Sequence, residues 1–152
     1  MKRRGLQLSR RHRWSLYVIG LALLITGLAW AWLHRLDEAG NTGGSWREFK
    51  PVLMKVHGFA ALGFVLLLGT LIPVHIRHSW HARRNRANGA FFLSSVSILT
   101  LTGYALYYLG DEKLRALCSD VHFWLGAAIP LLLIWHIWSG RRAARANPAS
   151  GQ

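Results

Sequence analysis

Eight histidines are the residues of this chain whose type and spacing suggest chemistry: His12, His34, His57, His75, His78, His81, His122 and His136. Four of them form a pattern. His57 and His75 are 18 positions apart, five whole turns of an α-helix, so on a helix they project from one face. His122 and His136 are 14 positions apart, which leaves them about 40° from a common face. Imidazoles paired across two helices, at two depths, are the ligand set of bis-histidine haem iron. Cofactor sites in helix bundles are built in this way, from side chains on facing helices. His57 with His122, and His75 with His136, are therefore the candidate cofactor-binding and metal-ligating pairs. No cysteine or acid stands at ligand spacing beside them, which disfavours zinc or copper. The remaining four histidines read as hydrogen-bonding or snorkelling groups near a membrane surface.

The elements that must carry these residues are equally legible. Charged residues make up 16% of the 152-residue chain and hydrophobic ones 52%. Four charge-free stretches stand out: Trp14–His34, Val56–Ile76, Ala87–Gly110 and Val121–Gly140, of 21, 21, 24 and 20 residues. A hydrocarbon core needs about 20 residues of helix. The expectation is an all-α integral membrane protein, a four-helix bundle with spans over 14–34, 52–76, 88–109 and 117–140. A basic arm (1–13) would precede it and a basic tail (141–152) would follow. Disorder is excluded by the apolar content, and a disulfide scaffold by the presence of one cysteine, Cys118.

The formal net charge of +13 is unevenly spread. The N-terminal arm, the loop between spans two and three, and the C-terminal tail hold thirteen basic residues and no acid. The opposite side holds all six acids, balanced by Arg35, Arg47, Lys50, Lys55, Lys113 and Arg115. By the positive-inside rule both termini are expected in the cytoplasm. Spans two and four then run in the same direction, with His57 and His122 near the outer surface and His75 and His136 near the inner one. Trp14, Trp30, Trp32, Trp80, Trp135 and Trp138 fit an interfacial belt, and the juxtamembrane basic clusters fit anionic lipid, so nucleic acid is not an expected partner. Ser9-Arg10-Arg11-His12-Arg13-Trp14 loosely resembles a twin-arginine signal, but no small-x-small cleavage site follows Trp32, and the first span reads as retained.

Arg, Lys, Asp and Glu are absent from the middle of every span, which leaves histidine as the intramembrane ionisable group. Gly58, Gly63, Gly69, Gly126 and Gly140, close to the paired histidines, could let a porphyrin plane slip between helices or serve ordinary close packing. The pairs imply rises of about 27 Å on span two and about 21 Å on span four. Pro73 or Pro130 could absorb that mismatch as a kink, or the outer pair alone binds haem. Span three carries Ser94, Ser97, Thr100, Gly103, Tyr104 and Tyr107, a polar face that could point at a porphyrin or simply pack. Lys55, Arg35, Arg77 and Arg141 could pair with propionates. The residues 110–119 read as a short outer loop, and Asn85–Gly89 as the end of one helix and the start of the next. The sequence by itself supports no internal repeat, and it has no covalent haem motif, phosphate loop, Ser/His/Asp set or paired carboxylates.

From Lys55 to Arg141 the chain resembles the four-span b-type cytochromes of bacteria: the cytochrome b561 class and the cytochrome b subunits of membrane hydrogenases and formate dehydrogenases. The matching pieces are Val56-His57-Gly58, Pro73-Val74-His75, Leu101-Thr102-Gly103-Tyr104-Ala105-Leu106-Tyr107-Tyr108, Val121-His122 and Trp135-His136. Span one departs from the pattern in having no mid-membrane histidine. The resemblance implies two haem b groups, or one at the outer pair, in a bacterial inner membrane. It further implies electron transport between quinol, haem and a periplasmic or partner-subunit redox centre, as part of an oxidoreductase. Two alternatives from other classes are a cofactor-free membrane anchor or assembly subunit, and a histidine-based metal or proton carrier.

Overall fold

In a computed structural model, residues 9–40, 48–71 and 86–146 are described. They form four helices: α1 (Arg10–Glu38), α2 (Phe49–Leu71), α3 (Arg86–Tyr108) and α4 (Glu112–Ala146), with no strand among the described residues. All four are long and apolar enough to cross a membrane. The expected all-α, multi-pass membrane class holds.

The helices begin and end where local chemistry places their caps. Ser9 caps α1, its hydroxyl accepting from the His12 amide at 3.2 Å. Gly40, at φ 71°, closes the other end in the left-handed region that suits glycine. Pro51 sits in the first turn of α2, where its missing N–H costs no ladder bond. Asp111 caps α4 by accepting from the Leu114 amide at 2.8 Å, and Glu112 in the first turn complements the helix dipole. The outer loop expected over 110–119 is therefore mostly helix, and the turn between α3 and α4 shrinks to 109–111. A charge-free stretch measures hydrocarbon thickness, whereas the helix runs on into the interface where polar caps can end it. For the same reason α1 exceeds 14–34 at both ends. α3 starts at Arg86, inside the stretch Asn85–Gly89 expected to start it, so Asn88 and Gly89 are in its first turn. Pro130 lies inside α4, which continues through it.

Two compact units divide the chain: Leu8–Thr70, which holds α1 and α2, and the part from Leu71 onward, which holds α3 and α4. The first is an antiparallel hairpin clasped near its turn by Lys50 and Asp37, 3.0 Å apart and each 18% exposed. Lys50 also lies over the Trp30 ring, on which His34 stacks. Further along, Ile19 meets Gly63, and Thr70 meets His12. In the second unit α3 and α4 pack along their length, through Leu99 against Gly126 and Phe91 edge-on to Trp135. Burial is inverted relative to a water-soluble protein. Thr26, Asn88 and Ser95 are buried, whereas Phe59 is 80% and Leu131 70% exposed. Apolar side chains facing outward and polar ones facing helix neighbours is the pattern a lipid solvent favours.

Candidate functional site

Three of the four paired histidines fall within the described residues, and each is held in the same way by the helix that precedes its own. His57 on α2 has its Nδ1 2.9 Å from Thr26 Oγ1 on α1. The Thr26 hydroxyl donates its own proton to the Ala22 carbonyl at 2.7 Å, so it accepts from imidazole. His122 on α4 has its Nδ1 3.0 Å from the Leu99 carbonyl and 3.2 Å from Thr102 Oγ1 on α3. A carbonyl can only accept, and the Thr102 hydroxyl donates to the Ile98 carbonyl at 2.8 Å. His136 has its Nδ1 2.7 Å from Asn88 Oδ1, again an acceptor. In all three rings the proton therefore sits on Nδ1 and the lone pair on Nε2.

A glycine follows each of these polar groups and meets the same ring. A Cβ on Gly27 would lie 3.3 Å from His57 Cε1, one on Gly103 2.9 Å from His122 Cε1, and one on Gly89 3.9 Å from His136 Cε1. The clamp is thus a polar residue plus glycine on one helix and a histidine on the next: Thr26-Gly27 with His57, Thr102-Gly103 with His122, and Asn88-Gly89 with His136. Phe92 stacks on the His136 ring at 5.1 Å. Asn88 is 6% exposed, and among the described residues its Nδ2 has no hydrogen-bond partner.

The other two described histidines carry the opposite tautomer. His34 Nδ1 faces the Lys50 ammonium at 3.4 Å and its Nε2 faces Glu38 Oε1 at 3.4 Å, so Nε2 bears the proton. His12 Nε2 lies 3.3 Å from Thr70 Oγ1, whose hydroxyl donates to the Leu67 carbonyl. Among the five described histidines, His57, His122 and His136 thus carry one tautomer and His12 and His34 the other. His75, with His78, His81, Pro73 and Arg77, lies outside the described residues.

The clamps also expose a repeat that the sequence alone had not supported. Thr26-Gly27-Leu28-Ala29 and Thr102-Gly103-Tyr104-Ala105 each begin 16 residues into their helix, and each is answered by a Val-His pair, Val56-His57 and Val121-His122. Fourteen residues before each threonine stands a polar residue, His12 on α1 and Asn88 on α3. Each bonds the following helix, through Thr70 and His136 respectively. The signal was the doubled Thr-Gly-x-Ala, too short to stand out until two helical hairpins could be laid over each other.

Of the glycines expected beside the histidines, Gly63, Gly69, Gly126 and Gly140 do not meet an imidazole among the described residues. Gly126 faces the Leu99 side chain and Gly63 faces Ile19, both ordinary helix contacts. Among the described residues, nothing lies within 4 Å of a Cβ placed on Gly69 or Gly140. On α3, Ser94, Ser97, Tyr104 and Tyr107 are exposed, whereas Gly103 faces His122. Lys55, Arg35 and Arg141 are exposed. Cys118 is half-buried near the start of α4. Among the described residues no group of three or more His, Cys, Asp or Glu is placed to hold a metal ion.

Comparison with known proteins gives one partial likeness. The chain is similar to signal peptide peptidase-like 5 of Oryza sativa subsp. japonica, 31% identical over 114 residues that cover 64% of this chain. The chain spans about a fifth of that relative's length, 21%. No family model matches the sequence, and no solved structure matches it.

Proposed function

We propose that this protein is a b-type cytochrome of the membrane, carrying electrons through bis-histidine haem b between the quinone pool or the cytoplasmic side and a periplasmic or partner-subunit redox centre. One observation carries the reading. Three intramembrane histidines share the Nδ1–H tautomer, each held by an acceptor and a glycine of the preceding helix. Metal-ligating histidines almost always donate their second ring N–H to a carbonyl, carboxylate or similar acceptor, and that bond fixes the ring for coordination through the other nitrogen. His57 and His122, at equivalent positions of the two hairpins, are the residues that would hold the outer haem. His136 is the proposed ligand of the inner haem. Its proposed partner is His75, from the helical spacing. When bound, haem b supplies one-electron redox chemistry at these positions.

Hydrolysis finds no support in the clamps. The threonine hydroxyls donate to backbone and accept from imidazole, the reverse of an activated nucleophile. The bacterial inner membrane, with both termini cytoplasmic, is proposed on charge distribution and resemblance. A lipid bilayer, a redox partner protein and a quinone are the proposed partners. The test is a pyridine haemochrome assay on the purified full chain, with iron stoichiometry. Haem b is expected, with one haem lost in His57→Ala and in His122→Ala. Unchanged haem content in both variants overturns the outer assignment. A colourless protein points to the anchor, and one holding zinc or copper without porphyrin to the metal carrier.

A further inference from the structure

We infer that the acceptors on α1 and α3 are tuning groups: Thr26 for His57 and Asn88 for His136 set the donor strength of each imidazole toward iron, with the Leu99 carbonyl and Thr102 sharing that role for His122. The inference rests on the cytochrome reading and deepens it.

The three acceptors differ in kind. His57 donates to a hydroxyl, which is itself polarised by its bond to the Ala22 carbonyl at 2.7 Å. His122 is shared between a backbone carbonyl, which no substitution removes, and the Thr102 hydroxyl. His136 donates to a side-chain amide oxygen at 2.7 Å, the shortest of the Nδ1 contacts. Thr26 and Asn88 are 8% and 6% exposed, so water does not compete effectively for these bonds. A stronger acceptor on Nδ1 pulls the N–H proton, makes Nε2 more basic and favours ferric over ferrous iron. Ligand strength is thereby set by a residue that does not touch the metal. The unlike acceptors would give the two haem sites unlike potentials, and so set at which of them an electron rests.

Asn88 provides a test of sign. Asn88→Asp replaces the amide with a carboxylate of nearly the same shape, a stronger acceptor. Asn88→Leu removes the acceptor while keeping the bulk. Redox titration of the haem-bearing full chain, with low-temperature EPR of the ferric state, should show the midpoint potential falling in Asn88→Asp and rising in Asn88→Leu. Thr26→Val should raise the potential of the other haem and weaken its binding about 10–100-fold, and Thr26→Ser should restore both. Thr102→Val should have the smaller effect, because His122 keeps the Leu99 carbonyl. In the haem-free protein, ¹⁵N imidazole shifts should place the proton on Nδ1 of His57, His122 and His136.

Shifts of the same sign in both Asn88 variants, or potentials unmoved in Asn88 and Thr26 variants that hold haem, overturn the tuning and leave the cytochrome reading standing. Protons found on Nε2 overturn the tautomer on which the tuning rests. A wild-type chain that binds no haem overturns the cytochrome reading itself.

Discussion

At the scale of single residues the histidines are governed by what touches them from the neighbouring helix. The glycines yield a graded prediction, because a methyl group at each would meet a ring at a different distance. Alanine is preferred over glycine in a helix interior by about 1 kcal/mol. At Gly89, where the added carbon lies 3.9 Å from His136, that gain should be realised, and Gly89→Ala should leave thermal stability in detergent unchanged or slightly raised. At Gly27 the 3.3 Å approach to His57 should cancel it. At Gly103 the 2.9 Å approach forces the His122 ring to move, so Gly103→Ala should lower stability and deplete haem, despite its better helix propensity. Haem content and melting temperature of the three variants check the order. Equal behaviour in all three would mean that the glycines do not seat the rings. From sequence, the histidines could be picked out by face and depth, since 18 and 14 residues are near-integral turns. Their clamps could not. Thr26 and Asn88 look like ordinary polar residues in apolar helices until the helix that follows is folded against them.

At the scale of the elements, the hairpin is the unit that makes a clamp. The spans were legible because hydrocarbon excludes charge, and among the described residues the charge-free stretches are helical except for Leu109 and Gly110, which lie in the turn after α3. The ends were not legible at the same precision. Asp111 and Glu112 read as loop by their charge, yet one caps α4 and the other suits its dipole. Asp111→Ala should therefore cost about 0.5–2 kcal/mol, read by thermal unfolding in detergent; an unchanged melting curve would remove the cap from the account. In the first hairpin Lys50 and Asp37 close the end beside the turn. They are mostly buried, and a hydrogen bond to a charged group contributes about 1.5–3 kcal/mol. Lys50→Met should destabilise by that order, and a double-mutant cycle with Asp37→Asn should return a coupling of the same sign. A cycle that closes to zero would mean that the pair is only adjacent. The repeat of Thr-Gly-x-Ala with Val-His stayed hidden because the two hairpins share so few identical residues, and those few are the ones in the clamps.

At the scale of the whole molecule, the sequence puts thirteen basic residues and no acid in the N-terminal arm, the segment between the second and third spans and the C-terminal tail, and all six acids in the other two inter-span segments. That distribution predicts both termini in the cytoplasm. Cys118, the only cysteine, then faces the outer side near the start of α4. A membrane-impermeant maleimide should label it in intact cells from which any outer membrane has been stripped; labelling only after lysis would invert the topology. In that inverted case the outer and inner assignments of the haem sites exchange, while the clamps are unaffected. The fold class follows from hydropathy alone, but the redox reading depends on imidazole nitrogens that must be oriented before they can ligate.

The most direct measurement is the pyridine haemochrome spectrum of the purified full-length chain, with iron determined on the same sample. The account predicts haem b at two per chain, falling to one when His57 or His122 is replaced by alanine. A preparation free of porphyrin, from cells supplied with haem, would contradict it.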